Sequence, residues 1–291
     1  MTLSWNVVLA TPLAGQTQGG VLASLPGSTR SAGLGGAGAA LVGDAGAVFS
    51  NPAGIATIRH LSLEGAYQHG ADGTAFGSGA LALRAGRLSW GFGAAALDTA
   101  GALYRARDVL GVAALVFRAS FIALGSSIKY VREVEASGSS TADAWAGDAG
   151  LAIALFDIMA LGVSVQNIGG DFGTGGAHLP RRTRAGFTLN YVDPQGTYRL
   201  LTTVEGQWPD AGAAFVVVGV EGGVVTRGVG LIGRTGYAGR SGAGGAGGAG
   251  AASPFSFGGS VELGRLHLDY AYRALDPPTG DTHRFGLRWT P

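Results

Sequence analysis

The sequence contains no cysteine, which removes disulfides and thiolate metal sites from consideration. An oxidising envelope compartment suits that absence without being required by it. Charge is scarce, at 13% of 291 residues, and mean hydropathy is +0.27. Disorder needs the opposite combination of low hydrophobicity and high charge, so a disordered chain is excluded. Lys129 is the single lysine, the arginines are scattered, and the net charge is +1. No basic stripe of the kind that binds nucleic acid emerges. Also missing is a run of ~20 strongly apolar residues able to span a membrane as a helix. The longest charge-free stretches, Met1–Thr29 and Ser241–Ser260, are broken by Gly, Ser or Pro. If this chain crosses a membrane it must do so as a closed barrel, because lipid offers no partner to an open backbone.

Glycine is abundant, with 54 residues. Each interior glycine costs a helix roughly 1 kcal/mol against alanine, which argues against a helical protein. Collagen would need a strict three-residue period, and none is present. From His60 onward, segments of about ten residues alternate apolar with polar or glycine positions, as transmembrane strands do. Leu266, Leu268, Tyr270 and Tyr272 share one face, and Arg265, His267, Asp269 and Arg273 the other. Phe285, Leu287 and Trp289 oppose Arg284 and Arg288 in the same way. Period-two side-chain alternation puts these charges on one strand face. That face must be the lumen, since arginine facing lipid at the midplane costs ~2–4 kcal/mol. The pattern predicts an all-β fold: a transmembrane antiparallel β-barrel of about fourteen strands. Its strands run from His60–Gln68 to His283–Trp289 and include Val109–Arg118 and Asp143–Leu155.

The connections alternate in length. Ala85-Gly86, Ala119-Ser120, Phe156-Asp157, Asp193–Gly196, Thr226-Arg227 and Gly264-Arg265 are short. Thr99–Asp108, Glu135–Ala142, Gly169–Arg181, Ala238–Ser253 and Leu275–Thr282 are longer, and only Pro209–Ala213 breaks the contrast. Outer-membrane barrels segregate short periplasmic turns from longer extracellular loops, so both chain ends are expected in the periplasm of a Gram-negative cell. Trp90, Tyr67, Tyr191, Tyr237, Tyr270, Tyr272 and Trp289 fall on apolar faces and suit an interfacial girdle.

Enzyme motifs fare poorly. Gly33–Gly38 and Gly242–Gly247 match G-x-G-x-x-G, but neither follows an apolar strand, so no nucleotide and no other cofactor is expected. Walker A, G-x-S-x-G and H-E-x-x-H are absent, and no metal site is expected. His267 and Asp269 share a lumen face and could serve a hydrolase dyad. The simpler reading makes them lumen-lining groups paired with Arg265 and Arg273.

Residues 1–15 have the apolar body and small-residue end of a signal peptide but lack its basic start. Residues 16–59 then form a lumenal hatch segment, and residues 60–291 the barrel. Within Ser31–His60, Pro52 forbids a central strand and Asn51 favours a turn or cap. Asn51 would satisfy local backbone donors, and Asp44 would cap a short helix or pair with a lumen arginine such as Arg184 or Arg234. The small residues suit a compact helix-and-turn element inside the lumen.

Gly43–Ala56, GDAGAVFSNPAGIA, resembles the N-terminal hatch motif of the FadL superfamily, with its Asn-Pro-Ala-Gly core after a short helix. SVQNIG at Ser164–Gly169, Leu179-Pro180-Arg181, VGVEG at Val218–Gly222, RTGY at Arg234–Tyr237, DYAYR at Asp269–Arg273 and GDTHR at Gly280–Arg284 resemble its PorV/PorQ branch. That resemblance covers Ser31–Trp289 and implies a non-enzymatic outer-membrane barrel that handles or anchors exported proteins in a type IX-like secretion context. The broader resemblance to FadL implies hatch-gated passive transport of hydrophobic molecules, with a side exit between strands. Expected partners are outer-membrane lipid and either secreted cargo or hydrophobic small molecules. Candidate hatch residues are Asp44, Asn51, Pro52, Ala53 and Gly54. Candidate lumen-facing residues are Glu64, Arg184, Glu221, Arg234, Glu262, Asp269 and Arg273.

Overall fold

The computed structural model describes residues 21–70, 73–100, 105–134, 141–156, 158–172, 178–191, 197–239, 253–274 and 281–291. The expected leader at 1–15, the Gly242–Gly247 motif and the Asp193–Gly196 turn lie outside the described residues, as do parts of several longer connections.

Fourteen antiparallel strands close into one barrel. They are β1 (Leu61–Gly70), β2 (Ala75–Ala85), β3 (Leu88–Ala100), β4 (Arg105–Ala119), β5 (Ile122–Val134), β6 (Thr141–Leu155) and β7 (Met159–Ile168). The series continues with β8 (Arg182–Asn190), β9 (Tyr198–Pro209), β10 (Phe215–Thr226), β11 (Val229–Ala238), β12 (Phe255–Leu263), β13 (Leu266–Arg273) and β14 (Thr282–Trp289). Every strand pairs with its chain neighbours, and β14 closes on β1 with Leu63 opposite Trp289. Both ends of the barrel chain therefore emerge on the short-turn side.

The expected connection Thr99–Asp108 is mostly strand: the β3–β4 ladder continues to Ala100 opposite Arg105. Likewise β6 starts at Thr141 rather than Asp143. The extra residues are joined by outward ion pairs. Arg107 Nε lies 2.5 Å from Asp98 Oδ1 and Arg132 Nε 2.7 Å from Asp143 Oδ1. Strand that stands clear of lipid has no need of apolar residues, so the hydrophobic pattern ends before the ladder does.

At the opposite end the turns are tight. Ser120, Phe156 and Arg227 adopt positive φ (55°, 53° and 51°), as do Gly86 and Gly264. Two-residue hairpins need this conformation to match strand twist.

The outer face is apolar. Phe92, Leu115, Leu124, Ile128, Leu231 and Phe285 are all exposed, and on β11 exposed and buried residues alternate without a break. A continuous belt of this kind is stable only against lipid. The barrel therefore spans the outer membrane.

Inside runs the N-terminal segment: α1 (Val21–Ser24), α2 (Thr29–Gly33) and two 3-10 helices, Ala45–Phe49 and Pro52–Thr57. Its Val48, Phe49, Ile55 and Ile58 pack on Ala82, Val112, Val116 and Ala123 of the β2–β5 wall. Glycine on the inner face lets backbone meet backbone. A Cβ on Gly162 would fall 1.9 Å from the Ala39 carbonyl oxygen, and one on Gly236 2.0 Å from the Gly35 nitrogen. Much of the glycine content is thus spent on the fit between segment and wall.

Candidate functional site

The lumenal segment turns at Asn51, which is fully buried. Its Oδ1 accepts from the Ala53 N–H at 3.0 Å and so caps the helix that starts at Pro52. Its amide donates to the Ala39 carbonyl at 2.6 Å and to the Leu151 carbonyl of β6 at 3.1 Å. One side chain therefore ties the turn to itself, to the preceding loop and to the wall. Pro52, Ala53 and Gly54 are all buried beside it. Arg84 and Arg118 reach in from the wall to the Ile58 and Ala56 carbonyls at the far end of that helix.

On the other side of the lumen, six charged groups form a closed ring. Arg30 of the segment contacts Asp44 (2.8 Å) and Glu221 of β10 (2.9 Å). Glu221 also meets Arg234 of β11 (2.6 Å), which reaches Asp269 of β13 (2.8 Å). Arg288 of β14 returns from Asp269 (3.7 Å) to Asp44, closing the circuit. Three cations face three anions, so the ring is neutral. Isolated burial of any one of these charges would cost several kcal/mol, and mutual pairing is what offsets it. Burial alone would raise the Asp44 carboxyl, but the Arg288 and Arg30 guanidinium groups hold it well below the usual carboxylate range. Glu64 sits next to the ring and accepts from the Gly46 N–H at 2.9 Å.

The glycine-rich loop Gly33–Gly38 does hold an anion, supplied by the barrel itself. Glu205 Oε2 accepts from the Gly38 and Ala39 backbone N–H groups at 2.8 and 2.6 Å, while Arg184 Nε lies 2.7 Å from Oε1. Successive amides at a sharp turn form such an anion-binding concavity. A third cluster lies where β7 bulges opposite Asp148. There Asn167 adopts φ +59°, the buried Lys129 contacts Asp148 at 2.8 Å, and Gln166 donates to the Phe49 carbonyl at 2.8 Å.

Each candidate lumen residue can now be located. Glu64, Arg184, Glu221, Arg234 and Asp269 are buried inside the barrel, and Glu262 and Arg273 are partly buried. Asp44 makes no side-chain cap; it pairs with a lumen arginine, Arg288 of β14, and with Arg30 of the segment, while Arg184 and Arg234 hold other partners. One expected pairing needs correction. Asp269 pairs with Arg234 and Arg288 rather than Arg265 or Arg273, and the His267 Nδ1 faces Glu262 at 3.0 Å. Same-face neighbours on one strand project in parallel, so long side chains from nearby strands reach each other more readily. Arg234 stands opposite Gly258 of β12, and its guanidinium donates to the Gly259 carbonyl at 3.4 Å on the way to Asp269. No His267–Asp269 dyad is formed. Sequence reasoning did not single out Arg30, Glu205 or the Lys129–Asp148 pair. Alternation marked Arg288 as lumenal but could not assign its partners.

A cavity of about 530 Å³ opens below the ring at the short-turn end, lined by Arg199, Glu262 and Arg265 among others. Among the described residues the strand ladders run continuously around the barrel, with a register shift at the β6–β7 bulge.

No protein-family model matches the sequence, and no curated protein matches it. Solved structures do. The toluene transporter TbuX of Ralstonia pickettii aligns with a TM-score of 0.61 at 12% identity, over 90% of this chain and 98% of that one. A mutant of the monoaromatic hydrocarbon channel TodX aligns at 0.59 and 11% identity, over 90% and 97%. A Pseudomonas aeruginosa FadL homologue aligns at 0.57 and 14%, over 90% and 98%. The chain has the fold of these FadL-type channels. That agrees with the hatch-motif resemblance at the level of fold; the PorV/PorQ branch has no counterpart among these structures.

Proposed function

We propose that this barrel is a hatch-gated conduit for hydrophobic small molecules across the outer membrane. The observation that carries this reading is the lining of the lumen. Transmembrane barrels ordinarily have a polar interior. Here the inner face of β2–β5 carries Phe76, Leu97, Leu110, Val112, Val116 and Val131, all buried. Phe172 and Leu179 join the same cluster near the extracellular ends of β7 and β8. The segment's Val48, Phe49, Ile55 and Ile58 cover part of this wall, and a movement of the segment would leave an apolar surface for an apolar solute. The likeness to a toluene transporter and a hydrocarbon channel supports the same reading. The lumenal segment, Asp44 and Asn51–Gly54 included, is its gate, and the described conformation is closed.

Cargo handling, the other implication of the motif set, draws on no feature of this lumen. A non-catalytic role agrees with the use of the titratable groups in structural pairs. Uptake of a radiolabelled monoaromatic hydrocarbon by cells with and without the protein tests the proposal. Uptake several-fold faster with the protein is expected, and equal rates would refute it.

A further inference from the structure

The six-charge ring is neutral, but the cavity beneath it is not. Three further guanidinium groups line that cavity: Arg59 ahead of β1, Arg199 at the start of β9 and Arg265 in the β12–β13 turn. None of the three has an ion-pair partner among the described residues. Arg199 shares its strand face with the buried Leu201, Thr203 and Glu205, so it points into the lumen. Against these cations stands Glu262, which faces His267 at 3.0 Å. Pro291, the last residue, also lines the cavity, and with its carboxyl counted as well positive charge is left over. Asp157 and Asp193, in two other short turns by sequence, lie outside the described residues. Two of the guanidinium groups around the cavity are also incompletely bonded. The Nε atoms of Arg199 and Arg288 are buried and have no hydrogen-bond partner among the described residues. Asp269 is 3.7 Å from Arg288 Nε, which is too far for a hydrogen bond. Arg288 is only 8% exposed, and buried donors are ordinarily paired.

From this we infer that the short-turn mouth of the lumen is a binding site for a small solute that carries carboxylate or phosphate oxygens. Guanidinium groups match both kinds of oxyanion with paired, charge-assisted hydrogen bonds. A cavity of about 530 Å³ is within the range of small-molecule sites and too narrow to admit an acidic protein surface. Its walls come from β1 and β9–β14, whereas the apolar side chains that would receive a hydrocarbon lie on β2–β5. The two ligands would therefore use different parts of the barrel. Arg30, Asp44 and Thr57 of the lumenal segment line the same cavity, so the occupant touches segment and wall together. A ligand held across both stabilises the folded, closed arrangement by mass action. The site lies on the periplasmic side of the ring, and a periplasmic solute reaches it without passing the segment. The inference thus stands apart from the conduit reading.

The test uses the full chain in an uncharged detergent, titrated calorimetrically with inorganic phosphate and, separately, with citrate at constant ionic strength. Saturable binding of one probe molecule per chain is expected, and a response to phosphate alone or to citrate alone names the oxyanion. The double variant Arg199→Gln, Arg265→Gln should bind about tenfold more weakly, as expected when hydrogen bonds to a charged group are lost. Both residues lie outside the ring, so heat-modifiable migration on gels should persist. If the double variant does not fold, Arg265→Gln alone, in an exposed turn, should still weaken binding several-fold. The control pair Arg87→Gln, Arg227→Gln alters exposed arginines of other short turns that do not line the cavity, and should keep the parent's affinity. Absence of saturable binding with both probes would overturn the site, as would binding that the double variant retains. An equal loss in the control pair would replace the site with diffuse surface charge. Binding of a polyglutamate peptide in place of both small anions would give the mouth to an acidic protein partner and overturn the small-solute reading.

Discussion

Glu205 accepts the backbone N–H of Gly38 at 2.8 Å while also holding Arg184, so one wall carboxylate secures both the glycine loop and a buried cation. Glu205→Gln keeps the shape but removes the charge. Arg184 is then left buried without a counterion, a loss on the order of 3–5 kcal/mol. Chemical unfolding in detergent should show that destabilisation, and a change under 1 kcal/mol would deny the pair its structural weight.

Asn51→Ala should act on the gate more than on the barrel. It strands the Ala53 N–H and the Ala39 and Leu151 carbonyls, at about 1–3 kcal/mol for each buried group left unsatisfied. Heat-modifiable migration on gels should persist, while single-channel conductance in planar bilayers rises or flickers. Pro52→Ala alone should change little. Deleting residues 31–55 should open a steady pore. A deleted protein that folds but conducts no better than the parent would show that the segment is not a plug.

Gly162→Leu offers a way to displace the segment without touching its own sequence. The new side chain would occupy the place of the Ala39 carbonyl, so conductance should rise as in the deletion. Gly111→Ala is the control, because nothing lies within 4 Å of its added Cβ. Equal behaviour of the two variants would contradict the described fit.

The charge ring sets a pH dependence with a definite sign. An unfolded aspartate titrates near 3.9; Asp44 in the folded lumen titrates well below that, against the effect of burial, because of Arg288 and Arg30. Its stabilisation is therefore complete above about pH 4 and is lost as pH falls through the folded value. Conductance should stay at the closed level from pH 7 to about 4.5 and increase only in stronger acid. Opening between pH 7 and 5 would point to a different titrating group.

Barrel orientation can be tested on intact cells. A tag inserted at Gly212, in the β9–β10 connection, should be accessible from outside, and one at Gly264, in the β12–β13 turn, should not. The reverse pattern would invert the periplasmic assignment of the short turns and of both ends of the barrel chain.

The sequence alone determined the barrel, its about fourteen strands, the inner and outer face of several of them, and the presence of a non-strand segment ahead of β1. Period-two alternation is a local property, and lipid imposes it on every strand separately, so it survives in the linear order of residues. Several of the motifs that carry the family resemblance meet in space: Glu221 of VGVEG, Arg234 of RTGY and Asp269 of DYAYR are consecutive members of the ring. Their common destination was not legible, because the motifs are 13 and 35 residues apart. Arg30 and Glu205 carried no local signal at all. Only the tertiary structure decided which charges pair and which glycines admit the segment. Those outcomes depend on barrel closure, which brings β14 against β1 and folds a distant N-terminal segment between walls whose side chains meet across the lumen rather than along the chain.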